Sequence, residues 1–312
     1  MTTTTSPTNL RLMDTFRNLF YTPVYVAVSG GFFYKHGLNV MLTSMPEGGS
    51  AMDILRSGEV DLAQTGISRS LMELDLGHED APLHVAEINS RDGFFLVSRH
   101  SVESWNWKML EGATVAPVGF TPVPWNSLRA AMLKHDVDLD AVNLATGLSA
   151  QEAIDAFRSG RVDYVHLPHP QAGSLVAEGA GHIAVALGPE LGHICYSSFA
   201  AMPSFIDASR GKIQSFVKGF DDALAWLATA EDEQVAERAA PFFPDLSLDL
   251  LQDFIHQYRA NQTWPQSSLI TRESYDSMRD ILMDGGLVKV RHSYDRLVRP
   301  EFALNSQKRR SA

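Results

Sequence analysis

The chain carries one pattern twice, and that repetition limits what it can fold into more than any other feature. Residues 51–61 read Ala-Met-Asp-Ile-Leu-Arg-Ser-Gly-Glu-Val-Asp, and residues 153–163 read Ala-Ile-Asp-Ala-Phe-Arg-Ser-Gly-Arg-Val-Asp. The match extends upstream, where Lys35-His36 before the apolar run 38–43 corresponds to Lys134-His135 before 142–145. Each copy reads helix, strand, short helix, strand. A period of about a hundred residues is domain-sized and far exceeds solenoid repeats.

The copies make physical sense as strand-helix-strand units. Ala51, Ile54 and Leu55 put an apolar stripe on a short helix, as do Ala153, Ile154 and Phe157. Gly58 and Gly160 then stop the helix by taking positive φ, and a buried strand follows at once. Such short connections imply right-handed crossovers and parallel sheets. The first unit is expected as strand 10–14, helix 24–34 and strand 61–64, and the second as strand 114–118, helix 125–134 and strand 164–166. Two strands each, 82–89 with 93–98 and 183–187 with 194–200, should follow the units, the second of each pair carrying the chain between lobes. From residue 209 the period turns helical, with Ile213, Phe216, Val217, Phe220, Leu224 and Leu227 on one face. Helices at 234–240, 248–260 and 272–283 follow, the last ended by Gly285-Gly286, and all should pack on the first lobe. The expected fold is α/β and two-lobed, with 1–92 and 196–312 in lobe 1, 93–195 in lobe 2, and a cleft between them.

Composition removes several classes of partner. A net charge of −11 repels phosphate backbones, and no basic stripe interleaved with aromatics occurs, so no nucleic-acid partner is expected. No stretch approaches the ~20 apolar residues of a membrane helix, so the chain should not be membrane-embedded. The opening residues lack a basic-then-apolar leader pattern, which predicts a cytoplasmic chain as written, or a periplasmic or cell-surface one if the start is truncated. A single cysteine, Cys195, excludes an internal disulfide framework.

In parallel sheets, ligands bind beyond the carboxyl ends of the strands. The loops there supply the candidate ligand-binding residues: Phe20 and Tyr21; Gly48, Gly49 and Ser50; Thr65, Ser68 and Arg69; Gly119, Phe120 and Thr121; and His166 and His169. Gly48-Gly49-Ser50 lets backbone approach an anion, although Ser50 equally suits an ordinary helix cap. Arg69 could hold an anion in bidentate fashion or be a plain surface charge. Phe20, Tyr21, Phe120 and Trp125 could sandwich a flat ring or fill core. Pro168 between His166 and His169 keeps them off one helical face, so no metal site is expected, and His169 is the better candidate to hydrogen-bond a ligand. His193 and Cys195 should share one side of a strand in what reads as core. Neither a G-x-G-x-x-G nor a G-x-x-x-x-G-K-[ST] loop occurs, and no cofactor is expected.

Tyr21-Thr22-Pro23-Val24-Tyr25-Val26-Ala27, then Gly31-Phe32-Phe33-Tyr34-Lys35-His36-Gly37-Leu38-Asn39-Val40, then Gly48-Gly49-Ser50 and Leu55-Arg56-Ser57-Gly58-Glu59-Val60-Asp61 stand in an order and spacing that carries a resemblance. Over roughly residues 10–230 the chain resembles the nitrate/sulfonate/taurine solute-binding proteins and their relatives, the thiamine-pyrimidine synthases. The resemblance implies a periplasmic-binding-protein-like type II fold that closes on a small anion or heterocycle, with an ABC importer permease as partner if the chain is exported. It also implies what is missing. The synthases place a lysine after the strand matched here by 61–64 and a histidine soon after, where this chain has Thr65 and Arg69, and their cysteine-rich motif is absent. The desulfinase relatives use a cysteine in the first cleft loop, where this chain has Leu19-Phe20-Tyr21. The expected function is therefore binding of a sulfonate, an aromatic carboxylate or a pyrimidine-like solute, with no catalytic residue assigned. A cytosolic enzyme on the same fold, a lyase, desulfinase-like or pyrimidine-synthase-like, acting on a small aromatic or heterocyclic substrate, is the alternative.

Overall fold

In the computed structural model, which describes residues 6–119 and 122–310, the two copies build separate sheets. The strands are β1 (Thr8–Asp14), β2 (Leu38–Ser44), β3 (Leu62–Thr65), β4 (Leu83–Asn89), β5 (Phe94–Ser98), β6 (Thr114–Ala116), β7 (Asn143–Leu144), β8 (Tyr164–Pro168), β9 (His182–Ala186) and β10 (Ser197–Ala201). One sheet has the order β2-β1-β3-β10-β4 and the other β7-β6-β8-β5-β9. The sheets correspond position by position. In each, the first three strands are parallel, and the fourth runs antiparallel to both its neighbours. That fourth strand, β10 or β5, has just arrived from the other lobe, so the chain crosses near residues 90–93 and 192–196.

The repeated residues do the same work in both copies. Asp61 Oδ2 accepts from Arg11 N at 2.8 Å while its own N–H donates to Arg11 O at 2.9 Å. Asp163 Oδ2 likewise accepts from Thr114 N at 2.8 Å and its N–H donates to Thr114 O at 2.8 Å. Each aspartate thus fastens the entry of the third strand to the first. Gly58 and Gly160 take φ of +71° and +79°, which a side chain would strain. Arg56 pairs with Glu73, and Arg158 with Glu178 at 2.8 Å, so each short helix is tied to the helix beyond the next strand.

Four expectations need correction. The helix expected at 24–34 spans Thr22–Ser29, because Gly30-Gly31 turns the chain and Phe32 folds back over Gly30, where a Cβ would meet its ring. Residues 67–69, read as the end of a loop, open the helix Ile67–Asp75, which follows an N-cap at Gly66. The strand expected at 194–200 begins at Ser197; His193 and Cys195 lie in the crossing before it and both turn to the buried Glu87. The C-terminal helices do not pack on one lobe alone. Arg210–Leu227 lies on the first sheet, with Phe216 stacked on Phe33 at 4.6 Å and edge-on to Phe199 at 4.8 Å. Leu248–Ala260 bridges to the second lobe through Phe254 stacked on His169 at 4.5 Å, and Arg272–Asp284 ends at Gly285 against Asn126 of helix Pro122–Lys134. Among the described residues no helix is long and apolar enough to cross a membrane.

Candidate functional site

The strand tips of the two sheets face one another around a cavity of about 220 Å³. The first lobe supplies Thr15, Phe16 and Tyr21 after β1, Met45 after β2, and Gln64, Gly66, Ser68 and Arg69 at the end of β3. The second lobe supplies Phe94 from the start of β5 and Val123 and Pro124 from the helix after β6. Tyr196 and Ser197, where the chain re-enters the first sheet, complete the wall.

Arg69 dominates the electrostatics. It sits in the first turn of Ile67–Asp75, held there by its N–H bond to Gly66 O at 3.3 Å. Burial lowers its pKa from the usual guanidinium value, and Tyr21 is the one group that acts against this. No carboxylate pairs with it among the described residues, whereas Arg56, Arg259 and Arg279, also buried or half-buried, each have one. An unpaired, desolvated guanidinium is costly unless a ligand supplies the counter-charge. The other polar groups are neutral. Burial pushes the phenols of Tyr21 and Tyr196 upward, so both keep their protons. The Tyr196 hydroxyl is buried and has no hydrogen-bond partner among the described residues, and the same holds for Thr65 Oγ1 just behind the cavity. The cavity therefore offers one cation, several donors, and apolar walls from Phe16, Met45, Phe94, Val123 and Pro124.

Of the residues expected from sequence, Tyr21, Ser68 and Arg69 meet at this cavity. Thr65 lies one layer behind it, and Phe120 and Thr121 lie outside the described residues. The others are placed elsewhere for identifiable reasons. Phe20 is buried among Tyr21, Phe94, Tyr196 and Tyr258 and supports the wall from behind. Gly48, Gly49 and Ser50 follow the edge strand β2 and remain outside the cavity, and Ser50 Oγ accepts from Asp53 N at 3.2 Å as a plain helix cap. Gly119 lines a separate hollow of about 320 Å³ with Trp125 and Gly147. His166 is fully buried against the Phe94 ring at 5.1 Å, its pKa driven down to about 3 by burial. His169 is a framework residue: Nδ1 accepts from Gly173 N at 3.1 Å, Nε2 bonds Gln257 Oε1 at 3.1 Å, and the ring lies between Phe95 and Phe254. With both nitrogens engaged, it has none left for a ligand.

Sequence reasoning missed Thr15, Phe16, Met45, Gln64, Phe94, Val123, Pro124, Tyr196 and Ser197. Tyr196-Ser197 had a usable signal, since a segment entering a sheet from the other lobe must pass the cleft. Cys195, the only cysteine, is fully buried, its thiol raised well above the usual value by burial, and it contributes nothing to the cavity wall. A cysteine nucleophile is therefore absent from the cleft.

Comparison with known proteins agrees with this architecture. The chain is 27% identical over 297 residues to the Bacillus subtilis (strain 168) protein YtlA, whose name proposes a binding protein, with 95% of this chain and 89% of that one covered. The periplasmic aliphatic sulphonate binding protein SsuA from Escherichia coli superposes with a TM-score of 0.75 at 17% identity, covering 96% of this chain and all of that one. The desulfurization enzyme DSZB superposes with a TM-score of 0.70, also at 17% identity, covering 96% and 99%. At such identities the likeness shows the fold alone, a two-lobed periplasmic-binding-protein fold. The model of the NMT1-like family matches residues 7–240, three quarters of the sequence, and the chain, whose fold is shared by the sulfonate- and nitrate-binding structures, belongs to that family.

Proposed function

We propose that this chain is a solute-binding protein that closes its lobes on a compact organic anion with an apolar or ring-bearing body, and delivers it to an ABC-type importer. The observation that carries the reading is Arg69, a desolvated guanidinium without a carboxylate partner among the described residues, at the junction of both lobes. Two proteins that share the fold are named for sulfonate and nitrate binding, which supports an anion. A cavity of about 220 Å³ lies below the roughly 300–1,000 Å³ of drug-sized sites, which favours a compact solute such as a small sulfonate or aromatic carboxylate.

Calorimetric titration with alkane- and arylsulfonates, aromatic carboxylates and pyrimidines tests it. At least one anion should bind saturably, and Arg69→Ala should weaken that binding by about ten- to a hundredfold, the loss of a charge-assisted hydrogen bond worth ~1.5–3 kcal/mol. Equal affinity in the variant removes Arg69 from the site. Turnover of a bound compound would transfer the cleft to an enzyme. Delivery to an importer requires the chain outside the cytoplasmic membrane, so recovery of all of it from the cytosol would remove the permease as partner and leave binding intact.

Closure itself has a contact to probe. Gly285 of the first lobe abuts Asn126 of the second, and a Cβ at Gly285 would overlap Asn126 Oδ1. Asn126 cannot swing aside freely, because its Nδ2 donates to Pro122 O at 2.8 Å. Gly285→Ala should disfavour the closed form by about 1–3 kcal/mol, seen as weaker ligand binding and a larger radius of gyration in solution scattering. Adding Asn126→Ser should restore both, and no rescue would mean that the two residues do not govern closure.

A further inference from the structure

A cavity larger than that of the cleft lies outside it. This cavity of about 410 Å³ lies where the chain crosses between lobes, walled by Arg91 of the first crossing, His193 of the second, the end of helix Arg210–Leu227, and Gln262 with the segment Trp264 to Gln266. None of its lining residues belongs to the cleft cavity. Its volume falls within the roughly 300–1,000 Å³ typical of small-molecule sites.

Its charges are unevenly satisfied. Arg259 is neutralised, with Nη1 on Asp232 Oδ1 at 2.7 Å and Nη2 on Leu227 O at 2.6 Å. Arg91 is not: its guanidinium donates to the neutral Gln262 Oε1 at 2.7 Å and meets no carboxylate among the described residues. His193 stands close enough to feel Arg91, and its Nε2 is committed to Glu87 at 3.0 Å, while Nδ1 has no hydrogen bond among the described residues. The Glu87 contact, with Glu273 nearby, raises the His193 pKa, so the imidazole holds its second proton more readily while facing Glu87 through Nε2. The opposite wall is apolar, formed by Leu224, Leu227, Pro265 and Trp264, whose indole N–H is anchored to Phe20 O at 2.8 Å. The ring therefore presents a fixed face.

We infer that this cavity is a second ligand site, one that takes a small carboxylate with an apolar body, its carboxylate on Arg91 and His193 Nδ1 and its body against Trp264. A guanidinium and an imidazole at one end suit an anion, and the apolar wall rejects a bare inorganic one in favour of an aryl or branched aliphatic acid.

Benzoate is the probe, and the full chain labelled with 5-fluorotryptophan is the reporter, its Trp264 resonance assigned by comparison with Trp264→Phe. The expected result is a saturable shift of the Trp264 fluorine signal with benzoate and none with benzamide, unchanged in Arg69→Ala and displaced to about tenfold or more higher benzoate in Arg91→Gln. Arg91 is half-exposed and makes one side-chain bond, so Arg91→Gln preserves the fold, which circular dichroism verifies. The inference is overturned if Trp264 does not respond, if benzamide shifts it equally, if Arg91→Gln titrates like the unmodified protein, or if Arg69→Ala abolishes the shift. The last outcome would assign benzoate to the cleft and support the function proposed above while removing this site.

Discussion

Phe20→Ala is expected to lower the free energy of unfolding by about 3–5 kcal/mol, the cost of deleting a fully packed ring and leaving its space empty. Phe20 is 2% exposed, with ring centroids of Tyr21 at 5.0 Å, Tyr196 at 5.1 Å, Tyr258 at 6.0 Å and Phe94 at 6.4 Å around it. Those four rings come from the first lobe, the second crossing, a C-terminal helix and the first strand of the second lobe, so one side chain fills the space where four parts of the molecule converge. The ring is tightly enclosed, since Gly93 lies so near that a Cβ there would overlap it. Alanine keeps the backbone carbonyl, which accepts from Asn89 Nδ2 at 2.6 Å and Trp264 Nε1 at 2.8 Å, so the loss reports the ring alone. Phe20→Leu should cost far less, within about 1.5 kcal/mol. Urea unfolding followed by circular dichroism measures both, and a loss under about 1 kcal/mol in Phe20→Ala would show that the surrounding rings collapse onto the space after all.

The architecture was legible because duplication prints the same local chemistry twice. Gly58 and Gly160 mark helix ends, Asp61 and Asp163 mark strand entries, and both pairs do in the structure what their repetition suggests. The site was legible only in part, because proximity to a strand end says which loop is near the cleft but not which way it turns. Arg69 follows a central strand and is carried by a helix into the cavity, whereas Ser50 follows an edge strand and spends its hydroxyl on its own helix. His169 shows a second limit. As sequence it is a polar residue at a strand tip, and only the arrival of Gln257 and Phe254 from a helix nearly ninety residues downstream turns it into framework. The crossings were the least visible part, since Arg91, Asp92, His193 and Tyr196 acquire their surroundings from segments with no sequence relation to one another.

Asp92, in the first of those crossings, gives a large pH effect. Its carboxyl is buried, with Oδ1 accepting from Phe94 N at 2.7 Å and the Ser127 hydroxyl near enough to act on it, and burial outweighs both contacts and raises its pKa from 3.8 to about 7. The folded protein therefore holds a proton that the unfolded chain has released. Stability from this group is present below about pH 4, falls as pH rises towards 7, and is level above that. A shift of about three units at ~1.4 kcal/mol each amounts to about 4 kcal/mol. Asparagine has the shape of the protonated acid and no charge to bury: its carbonyl can keep the Phe94 bond, and its amide can donate to the neighbouring Ser127 Oγ. The unfolding free energy of Asp92→Asn minus that of the unmodified protein should thus climb by about 4 kcal/mol between pH 4 and pH 7 and then stay constant. Other buried groups change the absolute curves: Glu87, also raised to about 7, with the same sign, and His84, His166 and His169, lowered to about 3, 3 and 4, with the opposite sign. They are common to both proteins and cancel in the difference. A difference that stays flat across that range would mean that Asp92 is charged in the folded state at pH 5, and that water or a cation reaches the crossing to solvate it.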